Sequence, residues 1–279
     1  MNNQNLSDKI TRQSKTNFGL SFAMLPKDKR DAMRTLYAFC RQTDDIVDKG
    51  GSVDERQKSL DAWSRSLRAS LDGNGNDPLL NQFALAAHSF GIPSRYMFEL
   101  IEGMRMDLEQ DRYGTFEELE KYCYHVAATV GLMSGHIFGF TDPSTPAYAR
   151  KLGIALQLIN IIRDVGSDAK IGRIYLPQED LDRFSYGGQD VMNRVYDVRF
   201  TELMKFEAAR ARRYYNEAAA MLPACDFKSF IAARIMGGVY ISLLDRIERS
   251  NFDVYGSRIR VSKAYKLRIA VYEKFRRTP

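Results

Sequence analysis

Apolar residues return every three or four positions through most of the chain, and the alternating apolar–polar runs that strands require are nearly absent. In DKRDAMRTLYAFCRQTDDIVD, just after Pro26, residues Met33, Leu36, Tyr37, Cys40 and Val47 fall at helical spacing and predict an amphipathic helix. The same period predicts helices over roughly 53–71, 94–110, 116–139, 146–166, 195–221, 227–249 and 262–276. DGNGNDP (72–78) and TDPSTP (141–146) carry the residues of tight turns, and YGGQD (186–190) lies in a longer polar connection as a candidate mobile flap. No connection is long enough to separate domains, and no segment repeats. The pattern predicts one all-α domain over 1–279, with 1–13 expected to be disordered.

Composition narrows the class. The chain has 279 residues, 44% of them hydrophobic and 27% charged, ordinary values for a globular protein with a sizeable core. No apolar run approaches the roughly 18 residues of a membrane span, and the N-terminus lacks the apolar centre of a secretory signal. Cys40, Cys123 and Cys225 are odd in number and far apart, as expected of a cytoplasmic protein. The net charge of +6 suits an anionic partner such as diphosphate or anionic lipid, although a merely solvated surface has the same excess. Nucleic acid is disfavoured, because no basic block interleaved with aromatics is present.

Two polar stripes interrupt the apolar helices. In RQTDDIVDKG (41–50), Tyr37, Arg41, Asp44 or Asp45, and Asp48 share one face. In NIIRDVGSDAKIGRIYLP (160–177), Gln157, Asn160, Asp164 and Asp168 share another, amid Leu152, Ile154, Leu158, Ile159, Ile161, Ile162 and Val165. Carboxylates beside an apolar interior are costly unless cations neutralise them. Two such helices face to face would form a cavity with acid on both walls. Mg²⁺ suits that arrangement because it takes one or two carboxylates and completes its shell with phosphate oxygens and water. Arg41, Arg163 and Arg173 would meet the phosphate directly. Taken singly, an aspartate pair four apart is commonplace on solvated helices, and such stripes can equally be ion-pair networks. The combination of two stripes on apolar helices points to a Mg²⁺–diphosphate site.

Longer stretches carry a resemblance. LYAFCRQTDDIVD, YCYHVAATVGLMSGHIFG (122–139) and LGIALQLINIIRDVGSDAKIGRIYLP (152–177) resemble the signatures of the squalene/phytoene synthases, over about residues 14–268. The resemblance implies the isoprenoid-synthase bundle around a central apolar cavity. It implies that Asp44, Asp45 and Asp48 bind Mg²⁺ on one wall and Asp164 and Asp168 on the other, assisted by Asn160. Arg41 and Arg163 would steady the diphosphate, with Gln157 near; Tyr37 and Tyr124 would face the reacting centre. Tyr240 would close the far wall, with Arg260 and Lys263 beyond it. Ala128 stands where many members have glycine and would slightly narrow the tunnel; Ser167 stands where glutamate is common.

Other residues have plainer readings. Ala127, Ala128, Gly131, Ser134 and Gly135 permit close helix packing or leave room for a prenyl chain. Phe18, Phe22 and Met24 read as core, with tunnel wall as the alternative. His88, His125 and His136 lack metal-ligand spacing, and no G-x-G-x-x-G follows a strand.

The implied activity is head-to-head condensation of two prenyl diphosphates. The central RYGTFEELEKYCYHVAATVGLMSGHIFG and late ARIMGGVYISLLDRIERSNFDVYGSRIRVS resemble the bacterial presqualene diphosphate/squalene branch somewhat more than plant-type phytoene synthases, which ranks two farnesyl diphosphates first. Phytoene synthase, using two geranylgeranyl diphosphates, and dehydrosqualene synthase are the alternatives. NADPH would be needed only if squalene is the final product. A silent scaffold relative is disfavoured because all five motif aspartates are present. The basic surface also suits peripheral docking on the inner face of a membrane.

Overall fold

The computed structural model describes residues 21–48, 50–256, 258–276 and 278. The expectations for 1–13 and for Phe18 lie outside the described residues. Among these, helices dominate, and the single β-type contact is a bridge between Arg112 and Ile174.

The helices begin where the sequence supplies caps. Helix α1 spans Lys27–Asp48 and α2 spans Val53–Leu71. Ser52 caps α2 reciprocally: its hydroxyl accepts from the Glu55 amide at 3.2 Å, and its own amide donates to the Glu55 carboxylate at 2.8 Å. Helix α3, Pro78–Ser89, starts at Asp77, whose carboxylate accepts from the amides of Leu79 and Leu80, with proline in the first turn. This helix was absent from the sequence expectation, although Leu79, Leu80, Phe83 and Ala87 on it are buried against α1 and α2.

Helix α4, Ser94–Glu109, leads to α5, Phe116–Cys123. The expected single helix over 116–139 is instead divided: a π turn at Tyr124–Ala128 separates α5 from α6, Thr129–Phe138. Helix α7, Thr145–Lys170, is longer than expected, so Asp168 remains helical. The short α8, Gln178–Arg183, and α9, Gly188–Met192, precede α10, Val198–Met221, then α11, Ile231–Arg249, and α12, Lys263–Phe275. The candidate flap YGGQD is pinned rather than loose. Tyr186 is buried, its hydroxyl donates to the Val195 carbonyl at 2.6 Å, and Gly188 opens α9.

Helix α7 is the axis of the bundle. It packs most extensively on α10 and also contacts the π turn, α6 and α11. Small residues set its approach to the π turn. A Cβ on Gly153 would stand 2.7 Å from the Ala127 carbonyl oxygen and 2.7 Å from the Ala128 Cα. Ala128 is fully buried in this contact and does not line the cavity, so the expected narrowing of a tunnel there gives way to helix packing. Between two apolar clusters, which meet at Tyr124, Val126, Leu156 and Tyr215, the helices leave a central cavity.

Gly153→Ala should lower stability by about 1–3 kcal/mol, because backbone atoms on the π turn have no room to yield. A urea unfolding midpoint equal to wild type would contradict the close approach.

Candidate active site

The cavity has a volume of about 380 Å³ and is bounded by α1, α4, the π turn with α6, α7 and α11. Along α1 its lining runs from Met33 through Tyr37 and Arg41 to Asp44; along α7 it runs from Ala149 through Gly153 and Gln157 to Asn160. At the helical rise, each wall is about 16 Å long. On both helices the apolar residues come first and the polar ones last, so α1 and α7 run in the same direction with their C-terminal ends at one mouth. The opposite end is closed by Phe22, Phe138 and Phe230. Phe22 is thus both buried and a wall residue; Met24 is partly exposed and does not line the cavity.

This direction concentrates negative charge. Asp44, Asp45 and Asp48 occupy the last turns of α1, and Asp164 and Asp168 the last turns of α7, where the helix macrodipoles are already negative. Arginines offset them. Arg41 contacts Asp44 at 2.7 Å and Asp45 at 2.8 Å. Arg163 Nε donates to Asp164 at 2.8 Å and its terminal nitrogen forms a second, shorter contact to the same carboxylate. Arg258 adds a contact to Asp164 at 3.3 Å. Burial raises the Asp44 carboxyl to about 6, helped by neighbouring Asp48 and opposed by Arg41. Burial, helped by Asp164, raises Asp168 to about 7 against Arg173 and Arg163.

The two rows meet through Asp107 on α4. Its charge raises the carboxyls of both Asp44 and Asp168, and Asp48 acts on it in turn. The Asp107 carboxylate accepts from Tyr175 at 2.8 Å and Tyr122 at 3.2 Å, while Arg173 donates to its backbone carbonyl at 3.1 Å. Arg173 therefore braces α4 at the junction of the rows. Tyr113 stacks on Tyr175 and tilts against Tyr122, so a wall of tyrosines backs this carboxylate.

The structure brings most of the expected residues together. Tyr37, Arg41, Asp44, Gln157, Asn160 and Tyr240 line the cavity, and Arg163, Asp164 and Asp168 stand at its rim on α7. Tyr124 does not line it: the π turn directs Val126 and Ala127 inward, and the Tyr124 hydroxyl donates to Glu99 at 2.7 Å. Tyr124, expected from the resemblance to face the reacting centre, thus lies outside this lining. Arg260 and Lys263 crowd Lys266; the cation that reaches Asp164 is Arg258. Asp107 and Arg258 were missed. Asp107 does continue the buried stripe Leu100, Gly103 and Met104 at helical spacing, a signal legible in hindsight. His88 and His125 contact the backbone carbonyls of Leu71 and Glu99.

The donors fit divalent cations bound together with an anionic ligand. Among the described residues no three acidic, histidine or cysteine side chains form a ready-made cage. Mg²⁺ in phosphoryl sites characteristically keeps one or two carboxylates and takes its other oxygens from phosphate and water. Asn160 supplies a second indication. Its amide nitrogen donates to Gln157 at 3.2 Å, while its buried carbonyl oxygen has no partner within the protein.

Fold and mouth define an all-α isoprenoid-synthase bundle around an apolar cavity, and comparisons with known proteins give the family. Residues 11–265 match the squalene/phytoene synthase family model, and the chain belongs to that family. Similar relatives include the 15-cis-phytoene synthase of Synechococcus elongatus, 39% identical over 92% of this chain and 88% of that protein. The phytoene synthase of Mycobacterium tuberculosis is 36% identical over 95% of this chain and 88% of its own. Among solved structures, a dehydrosqualene synthase with a bound ligand superposes with a TM-score of 0.87 at 28% identity, covering 98% of this chain and 95% of that one. A squalene synthase from Alicyclobacillus acidocaldarius gives 0.79 at 26% identity, covering 90% and 94%. The protein is accordingly a prenyltransferase that joins prenyl diphosphates head to head.

The raised carboxyls fix the sign of a pH effect. Asp44 and Asp168 hold their protons more tightly folded than unfolded, so their contribution favours the native state at low pH. It is lost as pH rises from the ordinary value near 3.8 through about 6 and about 7. Mg²⁺ competes with those protons and should raise the melting temperature more at about pH 8 than at about pH 5. Asp168→Asn should remove more of that difference than Asp44→Asn, because Asp44 keeps 40% of its side chain exposed. A Mg²⁺ effect larger at the lower pH would overturn this assignment.

Proposed function

We propose that the enzyme condenses two geranylgeranyl diphosphates to phytoene through a cyclopropylcarbinyl diphosphate. The observation that carries the reaction class is an apolar cavity whose polar end is formed by two acid rows on parallel helices. The chain length rests on the relatives: those at 36–39% identity over more than nine-tenths of this chain are named phytoene synthases. The squalene and dehydrosqualene synthases among the structural neighbours stand at 26–28%. The ranking that put farnesyl diphosphate first therefore gives way to its alternative.

In this scheme Asp44, Asp45 and Asp48 form one wall for Mg²⁺, and Asp164 and Asp168 the other, with Asn160 presenting its unpartnered oxygen between them. The metal, when bound, would neutralise diphosphate and make it a leaving group. Arg41, Arg163 and Arg258, which hold the carboxylates in ion pairs, would turn toward diphosphate oxygens as metal takes over the carboxylates. Gln157 holds the Asn160 amide in place, and Tyr37 and Tyr240 line the polar half where the allylic cation would form. Below them Leu152, Leu156 and Met236 keep water from the cation. Each of the two stages releases one diphosphate and one proton, so no hydride donor enters and NADPH has no part in this reading. The product is an oil, which favours peripheral attachment to a bilayer; no helix among the described residues is long and apolar enough to cross one.

Product analysis by mass spectrometry tests the reading, with purified protein, Mg²⁺ and either substrate. A C40 hydrocarbon from geranylgeranyl diphosphate without NADPH is expected, and a C30 product formed faster from farnesyl diphosphate would restore the first ranking. Asp48→Asn and Asp164→Asn should each lower turnover about a hundredfold or more; the melting temperature should change little for Asp48→Asn and fall for Asp164→Asn, which leaves the buried Arg163 without its partner. Near-normal turnover in either would contradict the two-wall scheme. Ser134→Phe, which fills the wall near Phe138 and Phe230, should shift the preference toward the C15 substrate by about tenfold. An unchanged preference would place the length limit elsewhere.

A further inference from the structure

Helix α12 lies almost wholly beyond residue 265, where the match to the family model ends, so the shared activity does not account for its surface. One side of it is docked on α11. Glu273 is buried in a 2.7 Å pair with Arg234, Ile269 meets α11 at Gly238, and Arg246 lies over the Tyr265 ring at 5.3 Å. These contacts run in reverse order along the two helices, so α12 lies antiparallel to α11. Because α11 also forms a wall of the cavity through Met236 and Tyr240, α12 is one helix, about 10 Å, behind that wall.

The opposite side of α12 is apolar and faces outward. Leu267, Val271 and Phe275 recur every fourth residue and are 52%, 46% and 74% exposed, and Tyr272 beside them is 64% exposed. Helical geometry puts Lys263 and Lys274 along one edge of this stripe and Arg268 along the other, all three exposed. The sole acid of the helix, Glu273, is turned inward and neutralised by Arg234. The outward face thus pairs an apolar ridge with cations and no anion.

We propose that the outward face of α12 is the surface through which the enzyme docks on an anionic lipid bilayer. A helix of this kind lies in the interface plane, its apolar ridge among the acyl chains and its cations at the headgroups. The charge decides against a second copy as occupant. Pairing two such faces would bring Lys263, Arg268 and Lys274 of each against the same cations of the other, with no exposed acid on either helix to offset them. Docked in this way, the cavity would lie alongside the membrane, separated from lipid by α11 and α12. The inference holds for either product, because it concerns the surface and not the chain length.

Co-sedimentation of the full chain with phosphatidylcholine vesicles, with and without phosphatidylglycerol, tests it in the absence of substrate. Wild type should bind the anionic vesicles and be released by salt. The triple variant Leu267→Asn/Val271→Asn/Phe275→Ser should bind about tenfold more weakly, with unchanged melting temperature and unchanged turnover on detergent-dispersed substrate. Lys263→Gln/Arg268→Gln/Lys274→Gln should abolish the preference for phosphatidylglycerol. Phe275→Trp should show a shift of its emission to shorter wavelength on vesicles. Equal binding by the apolar triple variant, equal binding to neutral vesicles, or no emission shift would overturn the proposal. So would a dimer in sedimentation velocity that the apolar triple variant converts to monomer, since the ridge would then be covered by a second copy.

Discussion

The structure turns on a repulsion. Five carboxylates are gathered at the C-terminal ends of α1 and α7, where the backbone dipoles are already negative and the neighbouring cavity is apolar. Each of these conditions disfavours an ionised carboxylate, and burial together with the neighbouring carboxylates raises the carboxyls of Asp44 and Asp168. Charge of this density persists only with cations close by. Arg41, Arg163 and Arg258 provide them within the chain, and every one is anchored on a mouth carboxylate. A fold that needed only stability would be better served by apolar residues at these positions. The repulsion is a store of cation affinity, directed at the polar end of the cavity.

Asp107 explains why the two rows act as one site. It comes from neither motif helix, yet its field reaches Asp44 and Asp168 alike. Hydroxyls of Tyr175 and Tyr122 hold its carboxylate, and Arg173 ties its backbone to the segment after α7. The Arg112–Ile174 bridge ties the same segment to the chain after α4, so Asp107 adds a second, side-chain link that orients the tyrosines behind the rows without a direct place in the lining.

What was legible in the sequence follows from what is local. A stripe such as Gln157, Asn160, Asp164 and Asp168 requires only helical spacing, and both acid rows could be read from it. The helix period gave the all-α class for the same reason. Asp107 and Arg258 reach the mouth through tertiary packing, and no spacing relates Asp107 to Asp168 or Arg258 to Asp164. Tyr124 was placed by resemblance and not by spacing; the π turn that begins there was not legible in the helical period, and it brings Val126 and Ala127 into the lining while the phenol bonds Glu99. The flap reading of YGGQD failed for a related reason. Glycines suggest freedom, but the Tyr186 ring beside them is buried and its hydroxyl is bonded.

The same geometry separates reaction type from chain length. On α7, Asn160 and Asp164 belong to the mouth, while Leu152, Gly153 and Leu156 form the wall below, all on one rigid helix. The mouth cannot move without carrying the wall with it, and Gly153 fixes the helix against the π turn with no slack. Variation that preserves the chemistry is therefore confined to side-chain volume in the lower half, at small residues such as Gly131, Ser134 and Ala233. Gly131 is further constrained, because a Cβ there would stand 2.5 Å from the Ala149 carbonyl oxygen. Ser134 and Ala233, which already carry a Cβ, line the cavity as well. Motifs at the mouth identify the family across long stretches of sequence; on the proposed reading, chain length would be set by side-chain volume further along the same signature helices, as at Ser134 within YCYHVAATVGLMSGHIFG.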